Sequence, residues 1–171
     1  MDKIVEMVSD KISYNSPLVN VNVANNKLQE VNIGGVKHSV DYVINSAPLH
    51  LLLGSISPSQ KRIKPDFRHL VLMTICLNRK PIGDVATYYF PDSRYKFTRV
   101  VEPRVRSEAM APEGKTSLMI EVPVSDFESL NKKELQSEII EQLIEAQFFT
   151  KKDILDIRFF DLPNAYPVLS Q

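Results

Sequence analysis

Phe67-Arg-His-Leu-Val-Leu-Met-Thr-Ile-Cys-Leu77 is a nearly continuous apolar stretch near the middle of the chain. A strand that is buried on both faces shows this pattern, because neither row of its side chains meets water. The stretch therefore predicts the central strand of a sheet that is covered on both sides.

Further strands are predicted after this stretch, joined by turns that suit antiparallel neighbours. Ala111-Pro-Glu-Gly114 has proline and glycine where a type I turn prefers them. The predicted strands cover Ala86–Phe90, Lys96–Val101, Thr116–Val122 and Ile154–Phe160.

The clearest helix is predicted from Asn131 to about Phe148. Asn131 can cap its first turn, and Glu134 can reach back as in a capping box. Its apolar stripe contains Leu135, Ile139, Leu143 and Ile144. Strands and helix together predict an α+β architecture, with a mixed, largely antiparallel sheet backed by helices.

The first third of the chain predicts a smaller element of its own. A helix of about three turns carries Ile4 and Ile12 on its apolar side, and a short helical turn over Leu49–Leu53 ends at Gly54. Asn25-Asn26 and Gly34-Gly35 suit tight hairpin turns. Between the helices lie a predicted β-meander, Leu18–Val23, Leu28–Ile33 and Val36–Ser39, and a short strand, Tyr42–Ile44.

A polar segment with two prolines, Ser55–Pro65, separates this part from the rest. Such a composition is typical of a connection between domains. We therefore predict two domains, residues 1–56 and residues 57–171.

Composition excludes several classes of protein. Acidic and basic residues number 21 each, so no overall field favours nucleic acid or a membrane surface. No stretch approaches the roughly 18–20 apolar residues that span a bilayer. The single cysteine, Cys76, cannot form an internal disulfide; within its apolar run, a buried and inert thiol is expected. These features predict a soluble, cytoplasmic protein.

Familiar catalytic signatures are absent from the sequence. His38, His50 and His69 are far apart and lack the spacing of metal ligands, and no HExxH, CxxC, GxSxG or phosphate-loop motif occurs. No metal site is predicted, and no catalytic residue can be assigned. Whether the chain itself is an enzyme stays open at this point.

A basic segment from Arg94 to Arg106 is one candidate binding site. An arginine on a rigid strand can clamp a carboxylate or phosphate, although composition alone favours the alternative of scattered ion pairs on a solvated face. Arg99 stands apart because strand alternation places it on one face with Phe97 and Val101. A charge on such a face must be paired or must line a cavity.

Three tyrosines are further candidates. Tyr88 and Tyr89 are adjacent on a predicted strand, so one of them must face away from the core and can wall a pocket. Tyr166 lies between a turn and Pro167, which orders its backbone. Packing between domains is the alternative role for Tyr166.

Several segments, taken in order, resemble the flavoproteins of the amine oxidase superfamily. That group includes protoporphyrinogen oxidases, with UDP-galactopyranose mutase as a relative. Pro17-Leu-Val-Asn-Val21 resembles a strand of the cofactor domain, and Asp41, Val43, Ile44, Ser46 and Pro48 resemble its D-x-V-I-x-[AST]-x-P motif. Three later segments also match: Thr98-Arg-Val-Val-Glu102 (T-R-x-x-E), Ala111–Gly114 with Ser117–Glu121, and Ala165-Tyr-Pro167.

The resemblance implies FAD as the cofactor and a small-molecule substrate. By position, the backbone of Leu18 would meet the adenine, and Ala47 and Pro48 would lie near the cofactor. The resemblance also implies that Arg99 and Tyr166 face the substrate, with Tyr88 or Tyr89 as a wall.

The sequence lacks the GxGxxG loop that holds the pyrophosphate in such enzymes. The resemblance therefore implies an internal fragment: part of the FAD-binding domain, with its β-meander, and then the substrate-binding domain. The rest of the flavoprotein chain would be its partner, and the fragment alone is expected to be inactive and to bind FAD weakly or not at all.

Three functions remain open from the sequence. The first is the substrate-binding region of an FAD-dependent oxidoreductase. The second is part of a mutase-like flavin isomerase, in which Arg99 would contact the diphosphate of a nucleotide sugar. The third is a stand-alone, non-enzymatic binding module.

Overall fold

The computed structural model describes residues 2–56 and 66–168 of the chain. They form two compact units, the first described over residues 2–56 and the second over residues 66–168. Each unit has its own antiparallel sheet together with helices, which confirms the α+β fold class. The predicted domain boundary adjoins residues 57–65, which lie outside the described residues, so its position stays a prediction.

The first unit is a three-stranded meander with two helices, and the predicted strand order is confirmed. Val21 and Val31 are opposite each other on neighbouring strands and are both buried. The elements are α1 (Asp2–Met7), β1 (Leu18–Ala24), β2 (Lys27–Ile33), β3 (Val36–Ser39) and α2 (Leu49–Ile56).

Both predicted hairpin turns are confirmed by their backbone angles. Asn25 and Asn26 have φ values of 53° and 58°, and Gly34 and Gly35 have 58° and 89°. Two successive positive φ angles are what a tight two-residue hairpin turn requires, and asparagine and glycine adopt them most readily.

Three details of the first unit differ from the sequence predictions. The first helix ends at Met7, and a single 3₁₀ turn, Ser9–Lys11, follows it. Helix α2 continues through Gly54 to Ile56. The predicted strand Tyr42–Ile44 is wrong: the segment is irregular, and Ile44 is fully exposed. A strand forms only with a neighbour to hydrogen-bond, and none pairs with this segment among the described residues.

The second unit is built around β4, which has the predicted bounds Phe67–Leu77. It pairs with a strand on each side, which confirms that it is an interior strand of a five-stranded sheet of order β5-β6-β7-β4-β8. The remaining elements are β5 (Thr87–Tyr89), β6 (Arg99–Val101), α3 (Pro103–Arg106), β7 (Thr116–Val124), α4 (Lys132–Glu145) and β8 (Ile154–Pro167).

Strand β8 is longer than predicted. The predicted strand ends at Phe160, whereas the segment Leu162–Pro167 continues the pairing with β4 as far as Phe67 opposite Pro167. Between Leu162 and Tyr166 the register shifts, and Asn164 there has a φ of 56°. A bulge of this kind leaves an extra residue unpaired, and the pairing of the two strands continues beyond it.

Helix α4 covers one face of this sheet, as its apolar stripe predicted. Leu135, Ile139 and Leu143 are buried against side chains of β4 and β7. The side-chain oxygen of Asn131 accepts hydrogen bonds from the backbone N–H groups of Lys133 and Glu134 (3.2 and 3.3 Å). The predicted cap is therefore confirmed, although the Glu134 carboxylate accepts from the Asn131 side chain rather than from its backbone.

A complete capping box occurs instead where the chain enters β8. The Asp153 carboxylate accepts hydrogen bonds from the backbone N–H and the hydroxyl of Thr150 (2.7 and 2.8 Å). These hydrogen bonds lower the pKa of Asp153. Because the folded pKa is lowered, the stabilisation is present above the ordinary aspartate pKa of about 3.9 and is lost as the pH falls below it.

Asp153→Asn should therefore lower the melting temperature at pH 7, and the difference from the wild type should shrink below about pH 4. Thermal unfolding between pH 7 and pH 3 measures this directly. The control is Asp84→Asn, at an exposed loop aspartate. A difference that is the same at every pH would contradict the prediction.

In the part of the chain that the structure describes, no helix has the length and apolar character needed to cross a membrane. The cytoplasmic location stays a prediction.

Candidate functional site

The five-stranded sheet has a second face, defined here as the side away from α4. Leu72 belongs to it, because it alternates along β4 with the core residues Val71 and Met73. Residues directly opposite each other in an antiparallel sheet point their side chains to the same face. By this rule a central row crosses all five strands: Tyr89, Arg99, Glu121, Leu72 and Phe160.

The central row has an aromatic ring at each end, with the Arg99–Glu121 ion pair and Leu72 between them. It spans about 19 Å, since neighbouring strands lie about 4.8 Å apart. Tyr89 and Phe160 are 71% and 54% exposed, and Leu72 between them is half-buried. The expectation that β4 is buried on both faces is therefore correct only for the face that α4 covers. On the second face, Leu72 is half-buried.

Arg99 reaches the second face because β6 is irregular just before it. Thr98 donates its backbone N–H to the Glu121 carbonyl (3.0 Å), and Arg99 also lies opposite Glu121. Two residues facing one is the pattern of a β-bulge, which interrupts side-chain alternation. The prediction that Phe97, Arg99 and Val101 share a face is therefore wrong for Phe97, which is buried in the core.

The start of β6 is also later than predicted. The backbone N–H of Lys96 donates to the side-chain oxygen of Gln142 on α4 (3.1 Å), and the Gln142 amide donates to the Arg94 carbonyl (2.8 Å). The helix therefore takes hydrogen bonds that a strand partner would otherwise make.

The Glu121 carboxylate holds the Arg99 guanidinium. Nη2 of Arg99 donates to Oε1 of Glu121, and 9% of the Glu121 side chain and 32% of the Arg99 side chain are exposed. The hydrogen bond that Arg99 donates to Glu121 raises the pKa of Arg99, and Tyr89 and Tyr166 raise it further. Nε of Arg99 is buried and has no hydrogen-bond partner among the described residues.

Of the three predicted tyrosines, Tyr89 borders Arg99, and Tyr166 lies elsewhere on the sheet. The Arg99 guanidinium carbon is 6.0 Å from the centre of the Tyr89 ring, within reach of a cation–π contact. Tyr166 is 46% exposed and lies opposite Arg68. Tyr166 makes a small electrostatic contribution to the raised pKa of Arg99.

Tyr88 faces the opposite way, as one member of an adjacent pair must. Its ring packs edge-on against Phe148 at 4.9 Å, on the core side. Burial raises the pKa of Tyr88, with smaller contributions from Glu102 and Asp84. Its packing thus gives the candidate role of Tyr88 as a pocket wall no support, and Tyr89 is the tyrosine of the pair that shares a face with Arg99.

The other cations of the segment from Arg94 to Arg106 have local roles. Arg94 pairs with Asp92 (3.3 Å), and Lys96 with Glu138 (3.7 Å). The Arg104 guanidinium binds backbone carbonyls of the following turn, including that of Pro112 (2.8 Å). For these residues the alternative of scattered local pairs is the better description.

The predicted cofactor residues lie in the first unit. Leu18 begins β1 opposite Ile33 and is 39% exposed. The Ala47 carbonyl accepts from the side chain of Asn45 (2.7 Å), and the Pro48 carbonyl accepts from Leu51 in the first turn of α2 (2.9 Å). The loop is thus ordered by its own hydrogen bonds, and whether it contacts a cofactor stays a prediction.

No group of three or more potential metal ligands occurs among the described residues. His69 has a structural role, because its Nδ1 accepts a hydrogen bond from the backbone N–H of Asn164 (3.0 Å) at the bulge and its ring packs in a tilted arrangement against Phe127. Cys76, expected to be buried, is only half-buried.

Sequence reasoning did not name three members of the central row as site residues: Glu121, Leu72 and Phe160. Glu121 had a usable signal, since a lone carboxylate in an apolar strand needs a partner just as Arg99 does. Phe160 had none, because its place beside Leu72 depends on the register between β4 and β8.

Comparison with known proteins gives matches in structure. No protein-family model and no curated protein matches the sequence. A crystal structure of reduced UDP-galactopyranose mutase matches with a TM-score of 0.72 and 20% identity, over 97% of this chain and 39% of that chain. The chain shares its fold with part of that mutase.

Two further structures have similar folds. An oxidoreductase from Methanosarcina mazei has a TM-score of 0.57 and 18% identity, over 85% of this chain and 36% of that chain. A protein from Pyrococcus furiosus has a TM-score of 0.60 and 18% identity, over 93% of this chain and 41% of that chain. The chain thus spans between 36% and 41% of the length of these three neighbours, and identities this low establish the fold alone.

Proposed function

We propose that the second unit is the substrate-binding region of an FAD-dependent oxidoreductase of the amine oxidase and protoporphyrinogen oxidase type. The observation that carries the proposal is the central row, where one arginine, held by a carboxylate, lies between an exposed tyrosine and the apolar side chains of Leu72 and Phe160. The fold shared with an oxidoreductase and a mutase supports it.

The substrate would lie against the central row. Leu72 and Phe160 supply apolar contact area, while Tyr89 and Tyr166 supply rings with hydroxyl groups. Such surfaces bind mainly through apolar contact, and a few polar groups set the orientation of the ligand. Positioning is thus the role of these residues, and the bound flavin would supply the hydride chemistry.

The first unit would belong to the FAD-binding part of the same enzyme. Leu18, Ala47 and Pro48 fit contacts at the edge of a cofactor, because Leu18 and the loop before α2 are at least partly exposed. The glycine pair of the described residues lies in a hairpin turn, so it does not provide the helix N-terminus that a pyrophosphate needs. We therefore expect this chain alone to hold FAD weakly or not at all.

The exposed segment after β3 supports the same assignment. Tyr42 and Ile44 are 90% and 100% exposed in the irregular segment for which the sequence pattern predicted a strand. A neighbouring strand from the rest of a flavoprotein would supply the missing hydrogen bonds.

The test uses the longest natural polypeptide that contains this sequence. We expect it to purify with the absorption spectrum of a bound flavin, which its substrate bleaches in the absence of oxygen. A polypeptide that carries no flavin and gains none on incubation with FAD would contradict the proposal, and would favour a stand-alone binding module.

In that flavoprotein, Arg99→Ala should lower kcat/KM by about 10- to 100-fold, the usual range for losing a charged hydrogen-bonding group. Steady-state kinetics with flavin content measured for each variant checks this. Arg94→Ala is the matched control, since it removes an exposed arginine outside the central row. Equal effects of the two substitutions would exclude Arg99 from substrate binding.

A mutase-like flavin isomerase acting on a nucleotide sugar is the second candidate. The match to UDP-galactopyranose mutase over 97% of this chain, with Arg99 in a T-R-x-x-E segment, favours it. Uridine diphosphate should then raise the melting temperature of the flavoprotein but not that of its Arg99→Ala variant. No shift with any uridine nucleotide would count against this candidate.

A further inference from the structure

We propose that Glu121 is a specificity-determining residue that keeps anionic ligands away from Arg99. The inference rests on the proposed function, because a specificity has meaning only for a binding face. It assigns the second face to substrates without a phosphate or carboxylate at the position of Arg99.

The geometry of the ion pair carries the argument. Glu121 lies directly opposite Arg99, and its carboxylate accepts a hydrogen bond from the same guanidinium that an anionic substrate would need. Because 9% of the Glu121 side chain is exposed, its carboxylate is largely removed from water and depends on Arg99 for compensation. A competing anion would have to leave this carboxylate buried and unpaired, which is costly.

The surroundings of Arg99 explain why the pair is stable in one arrangement. The β-bulge at Thr98 directs Arg99 across to β7, and the Tyr89 ring borders the guanidinium at 6.0 Å. The raised pKa of Arg99 has the Glu121 hydrogen bond as its main cause. The guanidinium is therefore held by its partner rather than offered to solvent.

Other cations lie on or beside the second face. Arg158, opposite Thr74, is paired with Asp156 (2.8 Å). Arg68 lies opposite Tyr166, and Arg106 donates to the hydroxyl of Thr87 (3.0 Å). Arg158 is thus compensated by Asp156, while Arg68 and Arg106 add positive charge on or beside the second face, and freeing Arg99 would complete an anion site that Glu121 now prevents.

The experiment measures pyrophosphate binding to this chain at low ionic strength, where charge interactions are least screened. Isothermal titration and amide chemical shifts of β6 and β7 are followed for the wild type and for Glu121→Gln. We expect the variant to bind pyrophosphate at least about tenfold more tightly, because a guanidinium that has lost its partner gains two-pronged, charge-assisted hydrogen bonds.

The double variant Arg99→Gln, Glu121→Gln is the matched control, since it removes both charges and leaves two amides of similar size. It should bind no more tightly than the wild type. Glu121→Asp, which keeps the charge on a shorter side chain, should fall between the wild type and Glu121→Gln, and it provides a readout if Glu121→Gln does not fold.

Two outcomes would overturn the inference. One is equal affinity of the wild type and Glu121→Gln, or, if Glu121→Gln does not fold, of the wild type and Glu121→Asp. The other is wild-type binding that is already tight and is lost in Arg99→Gln, which would also favour the mutase-like candidate. These binding measurements require neither flavin nor turnover, so a failure of this inference is distinguishable from a failure of the proposed function.

Discussion

Glu102→Leu should lower the free energy of unfolding of the second unit by about 2–4 kcal/mol, because it leaves buried donors without an acceptor. Glu102 is completely buried. Its carboxyl group accepts the hydroxyl of Thr116 (2.7 Å) and the backbone N–H of Ile82 (3.2 Å). Both donors are uncharged, and they join the loop before β5 to the ends of β6 and β7.

Urea unfolding followed by circular dichroism measures the loss. The controls are Glu113→Leu, at an exposed glutamate, and the double variant Glu102→Leu, Thr116→Val, which removes a donor together with its acceptor. The double variant should recover part of the loss. A Glu102→Leu protein within about 0.5 kcal/mol of the wild type would show that these hydrogen bonds contribute little.

Ile139→Ala should cost about 3–4 kcal/mol, since it removes a fully buried side chain and leaves a cavity. Ile139 is 0% exposed and lies at the centre of the contact between α4 and the sheet. Because α4 is the longest helix of the described residues, the loss should be measurable through the helical signal that disappears when α4 unfolds.

Ile140→Ala is a matched control for this change. It is the next residue of the same helix and carries the same change in helix propensity, but Ile140 is only partly buried beside the groove lined by Ile154 and Ile157. We expect a loss about half as large or smaller. Similar losses for the two variants would mean that α4 packs differently from the structure described above.

Elements with strong local signals were predicted well. The continuous apolar run of β4, the stripe of α4 with its Asn131 cap, and the two hairpin turns all occur where the sequence placed them. In each case the signal comes from neighbours within a few residues, such as a cap or a pair of positive φ angles.

Elements that depend on a partner were predicted less well. The first helix is short because Ile4 and Met7, 68% and 82% exposed, have little surface to bury against. Tyr42–Ile44 has no neighbouring strand among the described residues, and at the predicted start of β6 the backbone N–H of Lys96 donates to Gln142 on α4 rather than to a strand.

The candidate site shows the same division. Arg99 stands out in the sequence because a charge in an apolar strand must be compensated, and the likeness of its segment to a flavoprotein motif adds to that signal. Local chemistry therefore determines the α+β class, the central strand and the residue to examine. The tertiary structure alone pairs Arg99 with Glu121, turns Tyr89 outward and Tyr88 inward, and brings Phe160 to the far end of the row. These choices depend on a bulge and on the registers of strands distant in sequence, which are fixed only when the whole sheet assembles.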